Sequence, residues 1–286
     1  MPGMCVAVCA ASLASLALLT ALYYSLLSSR SLRAAWRRGR LLLAATVASM
    51  LAVGMLAAPA GLDTFTLALP LVVVTQLVVA QFFDRRIVGE ALYGFEGRVY
   101  RVGIIESSAV TAFAVAVRGR VYASTGLYQA LPPDEAAAVV AHEVGHWESL
   151  RPVPAAVALA AVAVGAAQGA EAAVALAMGG CVPGALAVGL ATAAAWALYN
   201  WAWEHLADLH SLRVAGFSAY AALARITGAV PAPPPSPPGL VAEVFRSLRP
   251  RRSPTGAGLL VNPHPPPALR LWLLGRLLPR SEENTR

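Results

Sequence analysis

Residues 4–27 contain no charged side chain, and an apolar run of that length reaches across roughly 30 Å of hydrocarbon. A second long stretch, residues 153–200, holds one charge, Glu171, and has room for two crossings. Between these stretches lie two shorter uncharged runs, residues 41–58 and 64–83. The whole chain is 58% hydrophobic and only 13% charged, with a mean hydropathy of +0.62, which excludes an ordinary soluble domain. The expected partner of so much apolar surface is the lipid bilayer. A cleaved secretory signal is the rival reading of residues 4–27, and it is weakened because no basic residue precedes Arg30.

The charge pattern orients these runs. The net charge of +7 comes from arginine alone, since the chain has no lysine. Arg30, Arg33, Arg37, Arg38 and Arg40 follow the first run as one basic loop, and Asp84-Arg85-Arg86 follows the third. Basic loops stay on the cytoplasmic side, so the N-terminus is expected outside, and three crossings within residues 1–86 leave residues 87–152 in the cytoplasm. Arginines beside apolar spans orient a protein in a membrane, so nucleic acid is not an expected partner. Cys5, Cys9 and Cys181 lack C-x-x-C spacing and read as small buried hydrophobes, neither disulfide-bonded nor metal-bound.

The chemistry is concentrated in Ala141-His142-Glu143-Val144-Gly145-His146-Trp147-Glu148, an H-E-x-x-H pattern. Side chains four apart share one helix face, so His142 and His146 can bind one metal ion while Glu143 serves as general base. The helix has a start signal in Leu131-Pro132-Pro133-Asp134-Glu135, with proline where a missing N–H is harmless and carboxylates facing the positive dipole end. Gly145 weakens a helix by about 1 kcal/mol, which implies close approach by another backbone. The rival reading is an amphipathic helix with two solvated histidines.

Residues 87–152 are expected to add a small sheet to this helix. Residues 97–105 alternate like a half-buried strand, and residues 112–117 and 120–124 flank Arg118-Gly119 as a hairpin. In the strand Ala112, Phe113, Ala114, Val115, Ala116, the large residues face the core and the alanines leave space, so a free edge would pair with an extended peptide; an internal strand is the rival. Residues 153–200 read as a membrane hairpin turning at 179–184, or else from Gln168. Tyr199, Trp201 and Trp203 then resemble an interfacial aromatic belt. In residues 201–286, Glu204 and Asp208 lie four apart. Glu204 is the candidate third metal ligand and Asp208 the carboxylate that orients a ligand histidine, against a rival reading as a solvated acidic face. His205 and His210 point off that face. Residues 230–239 read as a proline-rich spacer, and Arg246, Arg249, Arg251 and Arg252 as a cluster for anionic headgroups. A short helix at 268–278 and a polar tail at 281–286 close the chain.

Taken together, A-H-E-x-x-H, an intervening membrane hairpin and E-x-x-A-D at Glu204 to Asp208 resemble the HtpX-like membrane zinc metalloproteases, relatives of the CAAX prenyl endopeptidases. The likeness extends over about residues 112–270, including Thr125-Gly126-Leu127 and His264-Pro265-Pro266 followed by Arg270. It implies a mainly α membrane protein whose helical transmembrane spans carry a cytoplasmic zincin-like (gluzincin) α+β catalytic domain. It also implies one Zn2+ per chain on His142, His146 and Glu204, with Glu143 as base. The implied reaction is hydrolysis of polypeptides, misfolded or damaged membrane proteins among them, by a multi-pass protein of the cell membrane. His264 is expected to approach the site and stabilise the oxyanion, against a rival reading as a helix-start residue. Two departures stand out: Trp203 occupies a position where the family often has arginine, and three N-terminal spans exceed the usual two. The alternatives are a signalling sensor, a protease for one specific substrate, and a catalytically silent scaffold.

Overall fold

The computed structural model describes residues 2–57, 62–115, 120–151, 155–249, 251–252, 259–260 and 264–278. The chain opens with α1 (Pro2–Leu27), α2 (Leu32–Ala57) and α3 (Leu62–Asp84). A helix suits these apolar runs, because it satisfies its backbone polar groups within one segment. The loop after α1 is short. Arg30 lies in it, whereas Arg33, Arg37, Arg38 and Arg40, expected in the loop, occupy the first turns of α2. Among the described residues, three helices are long and apolar enough to cross a membrane: Cys5–Leu27, Val157–Met178 and Val182–Ala215. The other two expected crossings, α2 and α3, are helical, but arginines open α2 and the described apolar part of α3 is the shorter Pro70–Asp84.

A four-stranded sheet comes next, built from β1 (Ile87–Phe95), β2 (Arg98–Ile105), β3 (Ala112–Val115) and β4 (Arg120–Ser124) in the order β1-β2-β4-β3. The turn between β1 and β2 places Glu96 and Gly97 at φ 46° and 76°. Sequence periodicity does not predict β1, because its side chains alternate only between half-buried and exposed and give a weak signal. β2 and β4 are parallel, while β3 pairs antiparallel with β4 and forms the sheet edge. The Thr111 carbonyl accepts from the Ser124 N–H, so by alternation Phe113 and Val115 pair with β4 while Ala112 and Ala114 turn their main chain to the free edge. Ala116 and Arg118-Gly119 lie outside the described residues.

After the sheet come α4 (Thr125–Ala130), capped by the Ser124 hydroxyl, and α5 (Pro133–Leu150), with proline in its first turn as expected. A hairpin of α6 (Ala155–Met178) and α7 (Val182–Ala215) turns at Gly179-Gly180-Cys181, so Glu171 remains inside α6. The chain ends with α8 (Phe217–Thr227), α9 (Pro237–Ser247), the two-residue strands β5 (Arg251–Arg252) and β6 (Leu259–Leu260), and α10 (Pro267–Leu277). One apolar core joins α1, α2 and α7 with α9 and α10; a second packs the sheet on α5. Residues 152–154 and the tail 281–286 fall outside the described residues.

Three expectations need correcting. Cys5 and Cys181, 176 residues apart, form a disulfide, because the turn after α6 and the start of α1 lie side by side; Cys9 stays free. Tyr199 and Trp201 are core residues at 1% and 0% exposure, not a lipid-facing belt. The proline-rich segment is packed down: the Ala232 N–H donates to the Ala268 carbonyl at 3.0 Å, and the Tyr24 hydroxyl donates to the Pro235 carbonyl.

Candidate metal centre and active site

The site forms where α5 crosses the C-terminal half of α7. Gly145 permits the crossing, since a Cβ there would lie 2.8 Å from Ala207 Cα and 2.8 Å from His210 Cβ. The motif glycine therefore meets the close approach that its presence implied. His142 and His146 rise from α5, and Glu204 and Asp208 from α7. His142 Nε2 is 3.6 Å from Glu204 Oε2, and His146 Nε2 is 3.6 Å from Glu204 Oε1.

One atom from each of His142, His146 and Glu204 falls within a mutual 4.8 Å, so the three form a possible metal-binding group. Metal bonds of about 2.0–2.2 Å in a tetrahedron place ligand atoms about 3.3–3.6 Å apart, and each histidine lies at 3.6 Å from one of the two Glu204 oxygens. The donor set is two imidazoles and one carboxylate, a combination that suits a divalent metal ion. His142 Nδ1–H donates to Asp208 at 3.0 Å, which directs its Nε2 lone pair to the shared centre. His146 is oriented differently: its backbone carbonyl accepts from Trp203 Nε1 at 2.9 Å, and the two rings pack edge to face at 4.7 Å. Trp203 thus stands where the family resemblance leads one to expect arginine, and it braces a ligand.

The guanidinium comes instead from α10. Arg270 grips Asp208 with two hydrogen bonds of 2.6 and 2.8 Å and reaches Glu204 at 3.2 Å. Sequence reasoning attached no role to Arg270 beyond the resemblance. The available signal was a single cation within the apolar turn Ala268-Leu269-Arg270-Leu271-Trp272. His264, just before α10, lies with Nδ1 3.2 Å from Glu204 Oε1, so the segment expected to approach the site does reach it. His205 and His210, the rival ligands, are buried elsewhere. His205 meets the Tyr23 hydroxyl at 2.8 Å, and His210 packs on Phe95 and Trp36.

Electrostatics divide the roles. Burial alone would depress His142, but its hydrogen bonds to Asp208 and Glu204 outweigh that and lift it to about 10. The cluster therefore attracts positive charge. Burial holds His146 near 3, so its imidazole is neutral with a lone pair available. Burial raises Glu143 to about 7, where a carboxyl can both take and return a proton near neutral pH. The Ala114 backbone N–H faces Glu143 and counters part of that rise, which puts the outer edge of β3 beside α5. Ala114 and the cavity-lining Ala112 are thus brought to the site, whereas Phe113 and Val115 pack away from it with Ala80, Phe83 and Tyr122. Beyond His142, between β3, α5 and α8, lies a largely apolar cavity of about 220 Å³ walled by Ala138, Ala219, Ala222, Leu223 and Ile226.

Residues 81–276 match the family model described as Peptidase family M48. No curated protein and no solved structure matches the chain.

Proposed function

The chain belongs to peptidase family M48, and from that membership we propose that it is an integral-membrane zinc endopeptidase cutting unfolded membrane polypeptides on the cytoplasmic side. The observation that carries the reading is the convergence of His142, His146 and Glu204, with Glu143 beside them and Asp208 behind His142. Zinc, when bound by these three side chains, supplies Lewis acidity to water and to the scissile carbonyl.

The protein's own groups do the rest. Glu143 takes a proton from the attacking water as the C–O bond forms, then hands it to the leaving nitrogen as the C–N bond breaks. The free edge offers the Ala112 N–H and the Ala112 and Ala114 carbonyls to an extended peptide, while the Ala114 N–H faces Glu143, which gives affinity with little demand on sequence. His264 borders the same cleft, where a ring N–H would stabilise negative charge developing on the carbonyl oxygen. An open edge beside the base suits varied unfolded chains, and the HtpX-like resemblance implies misfolded or damaged membrane proteins.

Two features support the topology. The first turns of α2, which carry Arg33, Arg37, Arg38 and Arg40, pack beside the site, with Trp36 against His210 and the Arg40 guanidinium on the Arg151 carbonyl, as positive-inside orientation asks. The Cys5–Cys181 disulfide lies at the far end, where an oxidising extracytoplasmic compartment would preserve it.

The deciding experiment compares wild type with Glu143→Gln, each purified from membranes with its metal content measured. One zinc per chain in both and casein cleavage by wild type alone are expected. Equal cleavage by the variant would remove Glu143 from the mechanism, and stoichiometric wild-type zinc without any peptide hydrolysis would overturn the enzymatic reading.

A further inference from the structure

Away from the metal centre, α2, α6, α7 and the last turn of α5 enclose an apolar groove of about 410 Å³. Leu43, Val47 and Leu51 form one wall, and Val157, Ala158 and Ala161 the other. From Arg40 to Leu51 the α2 wall extends roughly 16 Å at 1.5 Å per residue, enough for a large part of an acyl chain.

The end nearest the metal centre is basic. Arg40 and Arg151 both line it, and the Arg40 guanidinium donates to the Arg151 carbonyl. Arg151 shares the single Glu148 carboxylate with Arg98, at 3.3 Å each, so positive charge is left in excess at the mouth. Tyr199 also lines the groove. It is 1% exposed, yet its hydroxyl has no hydrogen-bond partner among the described residues. A buried donor left unpaired is costly, so this hydroxyl calls for an acceptor delivered by whatever fills the groove.

We propose that the groove holds one acyl chain of an anionic glycerophospholipid, with its phosphate against Arg40 and Arg151 and an ester carbonyl accepting from the Tyr199 hydroxyl. A phospholipid matches all three features. A free fatty acid has charge and chain but no ester group below the charge to satisfy Tyr199. Ser149 and Leu150 line the same groove and end the helix that carries His142 and His146, so the bound lipid braces the metal-binding helix. The inference rests on the membrane reading above, though not on proteolysis.

The test uses the full chain in detergent, offered phosphatidylglycerol and phosphatidylcholine with identical acyl chains in equal amounts, and reads retained lipid by native mass spectrometry. Two arginines near a phosphate predict about tenfold or greater preference for phosphatidylglycerol. The preference should disappear in Arg40→Gln/Arg151→Gln, and Tyr199→Phe should lower retention of both lipids severalfold. Thermal unfolding of each variant in lipid-free detergent establishes that it is folded, and phosphatidylglycerol should raise the wild-type midpoint but not that of the arginine variant. Equal retention of the two lipids means ordinary annular contact and overturns the proposal, as does a preference that survives the double substitution. Oleic acid competing as well as phosphatidylglycerol would overturn the phospholipid assignment. Alkaline carbonate washing separates the two readings: a chain released from membranes defeats the membrane reading, whereas a chain that stays with unselective lipid binding defeats this one alone.

Discussion

Gly145 on α5 and Ala207 on α7 touch backbone to backbone, with only 2.8 Å between Ala207 Cα and the place where a Gly145 side chain would begin. Each residue sits inside its own motif: Gly145 between His142 and His146, Ala207 between Glu204 and Asp208. The contact therefore sets the distance between the two pairs of metal-site side chains. Small residues at this crossing are part of the metal chemistry, although neither has a polar side chain.

Gly145→Ala tests that dependence. Alanine would gain about 1 kcal/mol of helix propensity, but overpacking of this kind costs about 1–3 kcal/mol and pushes the ligand pairs apart. A lower thermal midpoint and weaker zinc affinity, measured by competition with a chelator, are expected, and Gly145→Val should be worse on both. Unchanged zinc affinity in the valine variant would show that the crossing distance does not control the site.

Arg270→Gln should destabilise the folded chain by about 3–5 kcal/mol, the usual result of leaving buried carboxylates without their cation. Asp208→Asn, by contrast, should chiefly lower metal affinity, by about 10–100-fold, because it loosens the orientation of His142. Denaturant unfolding and zinc titration of the pair separate the two effects. Arg270→Lys should not restore wild-type stability, since an ammonium cannot make the paired bonds to Asp208.

Proline substitutions distinguish the two edges of β3. Phe113→Pro removes an N–H from the β4 ladder and should impair folding. Ala112→Pro removes an N–H on the free side without disturbing the Ala114 N–H that faces Glu143, and should leave the fold and zinc binding in place while peptide cleavage falls steeply. Loss of folding in both variants would mean that the outer edge of β3 is structurally committed and closed to substrate.

The cavity beside His142 offers a further measurement. Its volume of about 220 Å³ is too small for a drug-sized ligand and suits one large apolar side chain of a substrate. Cleavage-site profiling of a peptide library should show bulky apolar residues next to the cut bond. Ala222→Leu should shift the profile toward small residues there, and Ile226→Asp, on the exposed rim, toward basic ones. A profile identical to wild type in both variants would place substrate side chains elsewhere.

Local sequence was sufficient for whatever depends on spacing along one helix. His142 and His146 had to share a face of α5, Glu204 and Asp208 a face of α7, and the proline pair had to mark the start of α5, because a helix repeats every 3.6 residues wherever it lies. The long uncharged runs likewise had to be helical. The features left open by sequence depend on which distant segments become neighbours. The Cys5–Cys181 bond joins residues in α1 and at the α6–α7 turn; Arg270 enters the site from α10 to hold two carboxylates of α7; Tyr199 and Trp201, which read as membrane-interface rings, are enclosed by α1 and α2. β1 is not legible in the sequence because its alternation is shallow, and β3 became an edge only once β2 and β4 had paired in parallel. Periodicity specifies the face that a helix or strand presents, but the partner on that face is chosen by packing across the whole chain. Packing across the chain set the lining of the active site here.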